Sequence, residues 1–131
     1  MKHSHYNKIK EINYIDYQII ISVVSILVII ISITLLYNEQ TYLKTGKYII
    51  PPKYARNLSI FNRTLSLITV IIFLYINYQV YYISKEENED LKPYKLQISA
   101  SILTVIASII VLYVASTSTT ETIGDVENPI I

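Results

Sequence analysis

Few side chains in this sequence are of a type and spacing that could do chemistry. His3 and His5 are its two histidines. A histidine at the third position, behind a free amine and two amide nitrogens, suits square-planar Cu²⁺. A solvated tail is the simpler reading, and neither a metal nor another cofactor is expected. Glu86, Glu87, Glu89 and Asp90 gather before Lys92, Pro93 and Lys95. Calcium loops need oxygens in a set order around a glycine turn, which this run lacks, so it reads as a solvated hairpin. Thr45-Gly46-Lys47 resembles the end of a P-loop. However, Thr41 stands where glycine is required and Tyr48 where Ser or Thr should hold Mg²⁺. Leu43, Tyr48 and Lys53 fit the loose cholesterol-contact pattern, which is weak by construction. Asn57-Leu58-Ser59 and Asn62-Arg63-Thr64 are glycosylation sequons, but both fall where a hydrophobic helix begins, too near a membrane for modification.

Intramembrane enzymes and coupled transporters place ionisable groups at depth. Here the nearest candidate is Arg63, expected at a helix mouth where its stem can snorkel to the headgroups. General acid–base chemistry is left without a buried actor. No catalytic residue and no small-molecule substrate are expected, and the chain does not read as an enzyme.

Lysines and tyrosines interleave from Tyr42 through Lys44, Lys47, Tyr48, Lys53 and Tyr54 to Arg56. Such a pattern can serve single-stranded nucleic acid. Its commoner meaning is anchoring at a bilayer surface, so a lipid bilayer rather than nucleic acid is the expected partner. Tyr75, Tyr78, Tyr81 and Tyr82 cluster likewise, and with Tyr14, Tyr17 and Tyr94 they predict an aromatic belt at one membrane surface.

The elements that must position these residues follow from where charge is missing. The chain has 131 residues, 52% hydrophobic and 16% charged, with 13 Tyr, no Cys and no Trp. Residues 17–38, 64–84 and 96–120 contain no charge. Each stretch can cross a hydrocarbon core about 30 Å thick, which needs roughly 20 helical residues. None shows the polar–apolar alternation of a barrel strand. An all-α membrane protein is expected, with three transmembrane helices forming a small helical bundle. A polar tail over 1–17 either lies on the surface as an amphipathic helix or extends the first span. Spans follow at 18–37, 57–83 (membrane core about 65–83) and 96–115. A basic, Tyr-rich loop with Pro51-Pro52 covers 38–56, an acidic loop 84–95, and a Ser/Thr-rich acidic tail 116–131. The first run ends without small residues of a cleavage site and reads as a retained anchor.

Projected at 100° per residue, each span carries one weakly polar stripe. These comprise Gln18, Ser22, Ser25 and Ser32 in the first, Asn62, Ser66, Thr69 and Asn77 with Ser59 in the second, and Gln97, Ala100, Thr104, Ala107 and Ser108 with Ser101 and Ala115 in the third. Small and hydroxylated stripes let membrane helices approach closely, so they are expected to face inward. In the rival arrangement, Ser66, Thr69, Thr104 and Ser108 line a pore between subunits. The expected function is a non-catalytic multi-pass protein, a structural or accessory subunit associating with other membrane subunits or with itself; the alternative is a small oligomeric channel of the viroporin or holin kind. Abundant Ile, Asn, Tyr and Lys follow AT-rich codons, as in some large DNA viruses and low-GC bacteria.

Topology rests on basic residues. Lys2, Lys8, Lys10, Lys85, Lys92 and Lys95 share one side, with Lys44, Lys47, Lys53, Arg56 and Arg63 on the other. The six-to-five split decides little; a C-terminal tail without Lys or Arg favours a cytoplasmic N-terminus with the C-terminus opposite.

Overall fold

The computed structural model describes residues 5–117, so the side chains of His3 and His5 and the acidic tail beyond Thr117 fall outside it. Three helices make up the described residues: α1 (His5–Thr45), α2 (Pro52–Glu86) and α3 (Lys92–Thr117). Their 41, 35 and 26 residues each exceed the length needed to cross a bilayer. The fold is a small all-α bundle, and all three helices are long and apolar enough to span a membrane.

The helices outrun the apolar stretches because nothing stops them earlier. No Gly or Pro occurs between His5 and Gly46, so residues 5–17 continue α1 without a break. Gly46, at φ +73°, closes α1 by donating its N–H to the Tyr42 carbonyl at 2.7 Å. Pro52 then opens α2, where its fixed φ and missing N–H suit the first helical position. The basic loop expected at 38–56 is therefore a short connection between two long helices. At the other end, Asn88 takes a left-handed φ of 56° and the Glu89 N–H reaches back to the Ser84 carbonyl at 3.1 Å. This satisfies the last carbonyls of α2. The Asp90 carboxylate accepts the Lys92 N–H at 3.1 Å to start α3.

α2 is the centre of the bundle. α1 and α3 each pack along it in antiparallel fashion and make no close approach to one another among the described residues. A small apolar core forms at the loop-1 end, where Leu35 meets Ala55 with Ile31, Ile50 and Leu58 around them. Beyond it the molecule is inverted relative to a soluble protein. Most of its buried residues are polar: Ser32, Asn38, Ser59, Asn62, Arg63, Ser66, Thr69, Ser84 and Ser108 among them. Its surface is an Ile- and Leu-rich mantle, with Leu103 67% and Leu43 74% exposed. Soluble monomers rarely expose contiguous apolar surface on this scale, whereas lipid tails solvate it without cost.

Candidate functional site: a buried polar seam along α2

The helix–helix contacts are carried by amides. On α2, Asn62 donates its Nδ2 to Ser32 Oγ at 2.9 Å and to the Val28 carbonyl at 3.2 Å on α1. Asn62 and Ser32 are both fully buried. About four turns further on, α2 faces α3, where Asn77 Nδ2 donates to Ser101 Oγ at 2.7 Å. At the loop-1 end Arg56 Nη2 donates to the Ser116 carbonyl at 2.8 Å, capping the last turn of α3. Asn38 holds the connection before Pro51: its Nδ2 donates to the Ile50 carbonyl at 3.1 Å and its Oδ1 accepts the Ile50 N–H at 2.7 Å. One side chain thus satisfies both polar groups of an irregular residue next to hydrocarbon, where water is scarce.

Arg63 is the main correction to the sequence reading. It does not snorkel. Its side chain is only 2% exposed and is the largest fully buried one in the chain. Ser59 and Ser66, four residues before and three after it, are buried with it on the same side of α2. Its depth follows from the contacts of its neighbour. Asn62 sits opposite Val28 and Ser32, near the middle of the charge-free stretch 17–38 of α1. Arg63 also falls between the Asn77–Ser101 and Arg56–Ser116 contacts, alongside the charge-free stretch of α3. The signal that could have revealed this is the Ser59/Ser66 spacing, which puts Arg63 on a polar helix face instead of a lipid-facing one.

The three stripes do not all turn inward. On α2, Asn62, Ser66 and Thr69 are buried and Asn77 is half-buried. On α1, Ser32 is buried, Gln18 and Ser25 are half-buried, and Ser22 is exposed. On α3, Ser108 and Ala115 are buried and Ser101 and Ala107 half-buried, while Gln97, Ala100 and Thr104 are exposed. The reason is geometric: with α1 and α3 apart, only α2 has neighbours on two sides, and the broad α3 stripe cannot all face it. Many hydroxyls bond their own helix instead. Ser22 donates to the Gln18 carbonyl at 2.7 Å, Thr69 to Leu65 at 2.9 Å and Thr104 to Ala100 at 2.9 Å. Beside α2, Gln97, Ala100, Ser101 and Thr104 border an open groove of about 340 Å³ with Asn77 and Phe73.

The tyrosines gather at the opposite end of α2 from Arg63. Tyr14 Oη reaches Gln79 Oε1 at 3.5 Å, and Tyr14, Tyr17 and Tyr75 line a shallow groove between α1 and α2. Tyr78 lies 6.5 Å from Tyr81 and 6.2 Å from Tyr82, ring to ring, and Tyr94 donates to Glu89 at 3.0 Å. The acidic turn is tied to α1, since Asn7 Nδ2 donates to Glu87 at 2.9 Å and approaches Glu86 at 3.5 Å. Thr45-Gly46-Lys47 serves as a helix stop, with Thr45 Oγ1 bonded to the Thr41 carbonyl at 2.8 Å. Tyr48 stacks on Tyr42, ring centroids 4.0 Å apart.

The residues brought together at depth are amides, hydroxyls and one guanidinium. They define a helical membrane protein whose interior is built for helix-to-helix hydrogen bonding. Comparison with known proteins returned no matching family model, no matching curated protein and no matching solved structure.

Proposed function

We propose that the chain is a non-catalytic three-pass membrane subunit that acts by association within a larger membrane assembly. The observation that carries this reading is the outward face of α3. Gln97, Ala100 and Thr104 are exposed beside the groove at Asn77 and Ser101, on a helix otherwise covered in Ile, Leu and Val. Small side chains such as Ala100 and Thr104 on an outward face let another helix approach closely, and Gln97 toward the headgroup end of that face can hydrogen-bond to it. Absence of catalysis is supported by the interior chemistry. Among the described residues the one ionisable side chain drawn into the seam is a guanidinium, which stays protonated and cannot act as a general base. The AT-rich-codon composition suits a viral envelope or internal membrane and equally the membrane of a low-GC bacterium.

The pore reading requires Ser66, Thr69, Thr104 and Ser108 to face a common aqueous space. Three of these are buried within a single chain, so α2 would have to part from its neighbours. Mild-detergent extraction tests both readings. The chain is expected to migrate in a larger complex that is lost when Gln97 and Thr104 become Leu, and to leave liposomes silent. Conductance from the purified protein that falls in the Thr69→Leu, Thr104→Leu variant would sink the association reading.

A further inference from the structure

Among the described residues the two ends of the bundle differ in charge. Between Glu39 and Glu86 the sequence contains no Asp or Glu, yet Lys44, Lys47, Lys53 and Arg56 lie just past the end of the first span. At the other end Lys85, Lys92 and Lys95 are interspersed with Glu86, Glu87, Glu89 and Asp90. α1 overruns Tyr37 by two turns and α2 begins at Pro52, so residues 42–54 form a cap within about 12 Å of the first span's end. The cap is held in shape. Asn38 grips Ile50 from both sides, Gly46 closes the turn, and Tyr42 and Tyr48 stack with their rings within 1° of parallel. Lys44, Lys47 and Lys53 are exposed on it, interleaved with Leu43, Ile49 and Tyr54, which are exposed as well. Arg56 is turned away to cap α3.

We propose that this cap is a docking surface for anionic phospholipid headgroups, confined to the loop-1 end of the molecule. Charge complementarity selects the sign of the partner: three exposed lysines lie in the stretch 40–85, which holds no Asp or Glu, and offer their ammonium groups to phosphate, with Glu39 the nearest carboxylate in sequence. The interleaved apolar side chains select the lipid over a soluble polyanion, since Leu43, Ile49 and Tyr54 can enter the acyl boundary while the lysines meet phosphate above them. Location agrees, because headgroups are the nearest anions to a cap fixed on two membrane helices. The acidic turn at the other end has no such preference, because its carboxylates repel the same headgroups.

The full chain, reconstituted in phosphatidylcholine vesicles, is the test, with spin-labelled phosphatidylglycerol and phosphatidylcholine as probes of the protein-restricted lipid fraction. A lysine near an anionic surface favours binding about fivefold, so phosphatidylglycerol is expected to be preferred by about fivefold or more. The K44Q/K47Q/K53Q variant is expected to bring the ratio close to one, and so is salt at about 1 M, where the screening length falls to about 3 Å. The K85Q/K92Q/K95Q variant keeps the preference. Equal restriction of both probes by the unaltered chain overturns the proposal, as does equal loss in the two triple variants. Inorganic phosphate competing away the preference at an ionic strength where chloride does not would assign the cap to a free anion and overturn it too. Helix content by circular dichroism shows that each variant is folded. The outcome is independent of whether a partner subunit binds α3.

Discussion

At the scale of single residues, Arg63 and Asn62 sit side by side on α2 but should answer differently to substitution. Asn62 donates two hydrogen bonds to α1, at 2.9 and 3.2 Å, to neutral groups. In membrane proteins such bonds average about 0.6 kcal/mol and reach about 1.7, because the unfolded helices also find partners. A double-mutant cycle of Asn62→Ala and Ser32→Ala in detergent unfolding is expected to give a coupling in that range. Arg63 is a full charge removed from water, and hydrogen bonds to it offset only part of the desolvation cost. Arg63→Met keeps the volume and removes the charge. It is expected to leave the unfolding midpoint unchanged or to raise stability by up to about 1–4 kcal/mol. A loss of more than about 2 kcal/mol would show Arg63 to be a net stabiliser, contrary to that reasoning. Should Arg63→Met fold at least as well, the guanidinium contributes register or partner choice instead of stability, as buried polar groups do elsewhere.

At the scale of elements, the three helices were legible in the sequence because a charge-free stretch of about 20 residues has few other folded solutions. Their true lengths were less legible. Hydropathy marks where lipid must be, whereas helix continues until a Gly46 or a Pro51 stops it. Relative depth was hidden altogether. A window scores α2 alone and centres it on residues 64–84, with Arg63 at the mouth. The contacts at Asn62 instead match Arg63 to the middle of the charge-free stretch of α1, so the two stretches are staggered by about ten residues, or about 15 Å. Packing against α1 and α3 draws the polar start of α2 inward and carries Tyr78 and Tyr82 toward the headgroups beside Tyr14. A chain without cysteine makes this measurable. Phe61, Thr64 and Tyr82 are all exposed on α2 and can each be replaced by Cys in the full protein. Phe61→Cys and Thr64→Cys are expected to react slowly with a membrane-impermeant maleimide and Tyr82→Cys quickly. The reverse order would restore the register that hydropathy alone assigns, with Arg63 at the surface.

At the scale of the whole molecule, that stagger bears on orientation. Counting Arg63 with the first loop gave six basic residues against five, nearly a tie. Burial in the bundle takes Arg63 out of the loop, leaving Lys44, Lys47, Lys53 and Arg56 to oppose Lys2, Lys8, Lys10, Lys85, Lys92 and Lys95. Lysines and arginines set orientation during insertion, and acids contribute little, so the four carboxylates of the acidic turn do not cancel the surplus beside them. The N-terminus and the acidic turn are therefore expected on the cytoplasmic side, with the basic cap opposite. Lipid contact by the cap is made by the folded protein after insertion, so it does not compete with this choice. Lys47 and Lys92 are exposed at the two ends and serve as reporters. In cells producing the protein, Lys47→Cys is expected to react with an impermeant maleimide from outside, and Lys92→Cys only after permeabilisation. Adding Lys8→Gln, Lys10→Gln and Lys85→Gln to the Lys47→Cys reporter equalises the two sides at three each, and adding Lys10→Gln to the Lys92→Cys reporter equalises them at four each. A balanced background of this kind should yield molecules in both orientations. If both reporters keep a single orientation in that background, basic-residue counting does not govern this chain, and the length and strong hydrophobicity of α1 must fix its direction instead.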